Sequence, residues 1–177
     1  MVTLDQLKKI IPYAGPRAAV FLAPLNEAMA EFGIDTPSRQ AAFLAQVAHE
    51  SGSLRYVEEI ASGRAYEGRG DLGNTQPGDG IRFKGRGLIQ ITGRANYRAC
   101  SQALFRDTRL LDRPEALEDV VAACRSAAWF WQSRKLNHLA DVADDVSFRK
   151  ITRAVNGGFN GLAERIAYYE RAKEVLA

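Results

Sequence analysis

The sequence is short of several things, and each shortage excludes a class of protein. No stretch of the 177 residues approaches the roughly 20 consecutive apolar residues that cross a bilayer, so stable membrane insertion is not expected. The opening MVTLDQLKKIIPYAG lacks the basic-then-apolar order and the small-residue cleavage site of a secretory signal. The expectation is therefore synthesis in the cytoplasm, with any release depending on another agent. Cysteine is scarce. Cys100 and Cys124 lie in helix-like stretches and form neither a CxxC nor a Cys/His ligand set, so buried thiols are expected rather than a disulfide framework. Histidine is equally scarce. His49 has no second histidine at the HExxH spacing, which argues against zinc, and no metal or cofactor is expected; His138 is placed at the surface. There is no repeat, low-complexity tract or linker. A net charge of +3 is a mild bias towards anionic partners.

What is present reads as one mostly α-helical domain over residues 1–177. Thr3 with Gln6 forms a capping box for a short helix through Ile11, which Pro12 stops. A helix from about Pro16 to Phe32 is expected to break or kink near Pro24, with Gly33 at its C-terminal cap. Thr36-Pro37 is an N-cap followed by proline at the first helical position, and it starts a tightly packed helix that reaches about Ser51. Residues 61–87 differ in kind, holding eight of the fifteen glycines. Long loops in compact domains are functional or disordered. This one is expected to be irregular, with at most a small β-hairpin around Ile81 to Phe83. Helical patterns resume at about 95–104, 114–133, 145–155 and 161–176, the last two separated by Gly157-Gly158.

At the end of the packed helix the sequence reads AHESGSLRYVEEI (Ala48 to Ile60). A carboxylate there is costly unless it is paired or solvated. On one continuous helix, Glu50 and Glu59 would differ by about 900°, half a turn out of phase, so both could not face one cleft. Ser51-Gly52-Ser53 removes that obstacle, because weak helix formers let the chain break and turn back. Two carboxylates across a groove are what glycoside hydrolysis needs, one protonating the leaving oxygen and one activating water. The competing reading is a solvated helix end carrying Glu50, Glu58 and Glu59.

A second motif shifts the balance. FKGRGLIQITGRANY (Phe83 to Tyr97) combines permissive glycines with Gln90 and Thr92 among Leu88, Ile89 and Ile91, followed by Asn96. Together with AHESG, YVEEI, VNGGFNG (Val155 to Gly161) and ERIAYYERA (Glu164 to Ala172), it strongly resembles the family 19 glycoside hydrolases, which include plant and bacterial chitinases and many phage endolysins. The motifs keep the family's order over almost the whole chain. The resemblance implies a lysozyme-like fold and an inverting reaction with Glu50 as general acid and Glu59 as general base. It implies that Thr92, with Gln90 nearby, holds the attacking water, that Asn96 and Asn156 bind sugar groups, and that Arg165 lies close to the base. One departure is Asn160, where chitinases of the family tend to carry a glutamate. With no evident export signal, the resemblance favours a monomeric phage-type endolysin cutting β-1,4 bonds in peptidoglycan glycan strands, released by a separate membrane-permeabilising protein to lyse bacterial cells. A chitinase is the alternative.

Other readings weigh less. Gly68 to Gly73 satisfies G-x-G-x-x-G without the strand before it and the helix after it that a dinucleotide site requires. Arg82, Lys84, Arg86, Arg94 and Arg98, interleaved with Phe83 and Tyr97, would suit nucleic acid, but Glu58, Glu59 and Glu67 dilute the field, so no nucleic-acid partner is expected. Trp129 and Trp131 cannot share a helix face; one should be core and the other at a rim. His49 is either a hydrogen-bond partner near the acid or part of the core.

Overall fold

A computed structural model describes all 177 residues. Ten α-helices follow in order: α1 (Leu4–Ile10), α2 (Arg17–Glu31), α3 (Pro37–Glu50), α4 (Asp79–Arg82), α5 (Arg94–Phe105), α6 (Arg109–Asp112), α7 (Val120–Ser133), α8 (Asn137–Ala140), α9 (Asp145–Asn156) and α10 (Leu162–Leu176). None is long and apolar enough to cross a membrane. The local start and stop signals act as their chemistry demands. Thr3 and Gln6 close the capping box of α1. Thr36 caps α3, with Pro37 at its first position. Gly33 takes the left-handed conformation (φ +67°) that lets the Ile34 amide reach back to the Met29 carbonyl at 2.8 Å, ending α2.

α3 is the axis of the molecule. Every residue from Gln40 to Ala48 is buried, and α10 packs along it. Phe43 meets Trp131 of α7 edge-on, with ring centroids 5.4 Å apart. Phe148 of α9 stacks on Tyr169 of α10 at 4.1 Å. Aromatic pairs in such geometry add to the burial term. Cys100 and Cys124 are buried free thiols in this core, and burial pushes the Cys100 thiol up to about 12. Trp131 is fully buried, its indole N–H donating to Asn137 Oδ1 at 2.8 Å, whereas Trp129 is half-buried. His138 is exposed.

Three expectations need correction. α2 does not break at Pro24. Proline leaves the Val20 carbonyl without its helical donor, but Val20 is 57% exposed, so water can take that bond. The single helix expected over 114–133 is a 3₁₀ turn (Pro114–Glu118) followed by α7, because the Asp119 carboxylate caps Val121 and Ala122 and starts a new helix. The hairpin expected around Ile81 to Phe83 is instead the short helix α4. The only strand-like pairing lies just beyond it, where Arg86 bridges antiparallel to Glu58 on one side and to Ile91 on the other.

The glycine-rich segment is tied down by polar contacts rather than by apolar burial. Both Glu67 oxygens accept backbone N–H groups, Gly78 at 2.7 Å and Gly80 at 2.8 Å. Gly80 is required by close approach, since a Cβ there would stand 2.6 Å from the Glu67 amide nitrogen. Asp79, 1% exposed, takes Arg94 Nε at 2.8 Å and Nη2 at 2.6 Å, which fastens the segment to the start of α5. The Arg94 guanidinium holds the Asp79 carboxyl below the usual carboxylate range. A depressed folded-state value gives stability that is fully present above the unfolded value near 3.9 and is lost as pH falls through the folded one. Asp79→Ala is therefore expected to cost about 3 kcal/mol, the lower end for a broken buried pair because Arg94 keeps some contact with water. Thermal melts should show a drop of about 6–12 °C, and the deficit should shrink on acidification as the wild type loses the same pair.

Candidate active site

The break after Glu50 is sharper than a flexible linker would make it. Gly52, Ser53 and Leu54 are all left-handed, with φ of +55°, +63° and +63°. Two of these are not glycine, which costs energy that the surroundings must offset. The hydroxyls offset it. Ser51 Oγ donates to the Val47 carbonyl at 2.6 Å and accepts the Leu54 amide at 2.8 Å, while Ser53 Oγ bonds the Tyr168 hydroxyl at 2.9 Å. The chain turns back here and leaves Glu50 as the last residue of α3.

Glu50 does not stand alone. Arg165, fully buried on α10, directs Nη2 to Glu50 Oε1 as an ion pair. Its Nη1 donates to Gln46 Oε1 at 2.5 Å and its Nε to the Asn160 carbonyl at 3.1 Å. Gln46 in turn donates to Thr152 Oγ1 at 2.9 Å. The resemblance implied that Arg165 would serve the base; the structure pairs it with the other carboxylate. Gln46 stands one helical turn before Glu50, so both project from one face. A buried glutamine in an apolar helix is the sequence signal that could have marked it as part of the site. His49 bonds Glu164 Oε2 through Nδ1 at 2.5 Å and lies over Gly161, where a Cβ would fall 2.0 Å from the imidazole. Two neighbouring pairs, 49 with 164 and 50 with 165, thus clasp the end of α3 to the start of α10.

Glu59 occupies a separate setting. Residues Val57 to Glu59 run antiparallel to Gly85 through Gly87, with Gly87 N donating to the Val57 carbonyl at 2.8 Å and Glu59 N to the Gly85 carbonyl at 2.9 Å. In extended chain, successive side chains point to opposite faces. Glu58 accordingly turns to Lys84 Nζ at 2.7 Å and Arg86 at 3.4 Å. Glu59 turns to the other face, where Oε1 accepts the Gly85 amide at 2.7 Å and Oε2 accepts the Tyr66 hydroxyl at 3.0 Å. Tyr66 was not singled out from sequence. The available signal was a lone aromatic between residues 61 and 82.

Gly85 is where three functional candidates converge. A Cβ on it would stand 3.1 Å from Gln90 Oε1 and 3.3 Å from Thr92 Oγ1. The Arg86–Ile91 turn makes this possible, with Gly87 at φ +85° and Gln90 itself left-handed at φ +46°. Thr92 Oγ1 donates to the Gln90 carbonyl at 3.1 Å, and Asn96 Nδ2 to the Thr92 carbonyl at 2.7 Å. Beside them a pocket of 170 Å³ is lined by Gln90, Thr92, Asn96, Trp129 and, at its far side, Val155. The half-buried Trp129 is thus the rim tryptophan. Asn156, the next residue after Val155, has a buried Nδ2 with no hydrogen-bond partner, an orphan that calls for an explanation.

The basic residues that suggested nucleic acid are mostly engaged internally. Arg82 donates to the Leu111 and Asp112 carbonyls, Lys84 pairs with Glu58, Arg86 with Glu118, and Arg94 with Asp79.

Comparison with known proteins identifies the family. The family described as chitinase class I, the family 19 glycosyl hydrolases, matches residues 27–177. A Haemophilus influenzae protein described as a glycosyl hydrolase family 19 domain-containing protein is 30% identical over 200 residues, covering 96% of this chain and 94% of that one. Endochitinase CHI of Arabidopsis thaliana is 38% identical over 118 residues, covering 63% of this chain; this chain spans 41% of the plant protein. Among solved structures, chitinase C from Streptomyces griseus shares the fold with a TM-score of 0.77 at 24% identity, over 99% of this chain and 92% of that one. With the family matched from Glu27 to the last residue and two carboxylates set in distinct surroundings, the chain belongs to the family 19 glycoside hydrolases.

Proposed function

We propose that this glycoside hydrolase cleaves β-1,4 bonds between N-acetylglucosamine units of chitin and chito-oligosaccharides, with inversion at the anomeric carbon. The endochitinase among its relatives supports that substrate class over peptidoglycan. The observation that carries the mechanism is the convergence of Glu59, Thr92 and Gln90 on Gly85. Glu59 is held by two neutral donors beside Thr92 and Gln90, whereas Glu50 is held by a buried guanidinium.

In this reading Glu50 gives its proton to the leaving glycosidic oxygen. The carboxylate left behind is met by Arg165, whose attraction lowers the energy of the charge as it forms. Gln46 and the Asn160 carbonyl fix the guanidinium so that one nitrogen addresses the acid. Beside Glu59, Thr92 donates its hydroxyl proton to the Gln90 carbonyl, which leaves its lone pairs as acceptors. A water that gives one hydrogen to Thr92 and the other to Glu59 points a lone pair at the anomeric carbon, and Glu59 removes the proton as the new C–O bond forms. The same chemistry would serve the amino sugars of peptidoglycan, so the test carries both glycans.

Proton NMR of the products freshly released from N-acetylglucosamine hexamer should show the new reducing end first as the α-anomer. A β-anomer at the earliest times would overturn the roles of Glu59 and Thr92. Mass spectrometry of products from chitin and from purified peptidoglycan decides the substrate, and release from peptidoglycan alone would move the assignment to that polymer.

A further inference from the structure

We propose that Tyr66 is a positioning residue for the base, its hydroxyl holding the Glu59 carboxylate in the orientation that faces the attacking water. The inference rests on the reading of Glu59 as general base. Gly85 N–H fixes one carboxylate oxygen from the backbone, and a single anchor leaves the group free to rotate about its terminal bond. The Tyr66 hydroxyl on the second oxygen, at 3.0 Å, fixes the plane. Each oxygen still keeps a lone pair for the water proton.

The construction of the loop supports a dedicated role. Tyr66 sits in a 3₁₀ turn (Arg64–Tyr66), with its amide on the Gly63 carbonyl at 2.9 Å. Its carbonyl accepts the amide of Asn74, a fully buried side chain whose own oxygen accepts the Arg94 backbone N–H at 2.8 Å. The next residue, Glu67, grips Gly78 and Gly80. This much polar anchoring in a segment with little apolar burial keeps one ring in one place. The ring is half-buried. Burial first, and then the bond to Glu59, push its phenol above the usual tyrosine range, with Arg69 opposing, so it is a donor at neutral pH. The glycine-rich segment thereby becomes part of the catalytic apparatus: if it is displaced, the base loses its orientation.

The test is kinetic and uses the whole chain. Tyr66→Phe should lower kcat about ten- to a hundredfold, the value of one hydrogen bond to a charged group, with KM nearly unchanged. Replacing Tyr66 with 3,5-difluorotyrosine keeps the ring and its packing but gives a phenol far more acidic than tyrosine in the same surroundings. That enzyme should show an added loss of activity on the alkaline side that the wild type lacks, which keeps the proposal testable even if the phenylalanine variant folds poorly. Wild-type kcat in the phenylalanine variant and an unchanged alkaline limb in the fluorinated protein would overturn it. Glu59→Gln separates the two levels. If that variant stays active, the base assignment itself fails; if it is dead while both Tyr66 proteins behave as wild type, only the positioning role falls.

Discussion

Glu50→Gln is expected to leave the protein folded and to abolish hydrolysis. The amide is isosteric and still offers an oxygen to Arg165, so the contacts among Arg165, Gln46 and the Asn160 carbonyl survive. What it cannot do is surrender a proton to a glycosidic oxygen. General acid catalysis contributes about 10²–10⁴-fold, and an alcohol leaving group of a sugar places this step at the high end. Loss of the ion pair also removes one charged partner from a fully buried arginine, which costs stability. Circular dichroism should show a native spectrum with a lowered midpoint, while product release on chito-oligosaccharides falls at least a thousandfold. Retention of more than about a tenth of the wild-type rate would take Glu50 out of the mechanism.

Glu59→Gln is expected to be almost as severe, and Glu58→Gln nearly silent in catalysis. The two residues are adjacent, so sequence spacing alone separates them poorly. Geometry does. Glu58 is bound to Lys84 and Arg86 on one face of an extended segment, and Glu59 faces Gly85, Tyr66 and, through the Gly85 turn, Thr92. An amide at 59 can accept the Gly85 and Tyr66 bonds but cannot take a proton from water, so turnover should fall about 10²–10⁴-fold with the fold intact. At 58 the change weakens a half-exposed salt bridge worth about 0–1 kcal/mol. Parallel rate measurements on the two variants check this directly, and a dead Glu58→Gln beside an active Glu59→Gln would reverse the assignment.

Much of the frame was legible from local chemistry. Thr36-Pro37 marked where α3 starts, and Ser51-Gly52-Ser53 allowed the chain to break after Glu50. Those signals act over three or four residues, within the reach of caps, fixed proline φ and glycine freedom. Failures came where a distant partner outweighed local preference. The β-prone Ile81 to Phe83 stretch became α4 because Asp79 is committed to Arg94, 15 residues away. The pattern over 114–133 split because the Asp119 carboxylate found two amides to cap.

By itself, the sequence determined the helical class, a permitted break between the two glutamates, and a motif order specific enough to name the family. Tertiary structure alone decided how each carboxylate is supported. Arg165 lies 115 residues from Glu50, and only the packing of α10 along α3 shows that it pairs with Glu50 rather than Glu59. Tyr66 lies in a segment without periodicity, and only the closure of that loop brings its hydroxyl to Glu59. The division has one physical cause: backbone preferences are written in neighbouring residues, whereas a side chain's charge and hydrogen-bond partners are set by whatever the fold brings beside it.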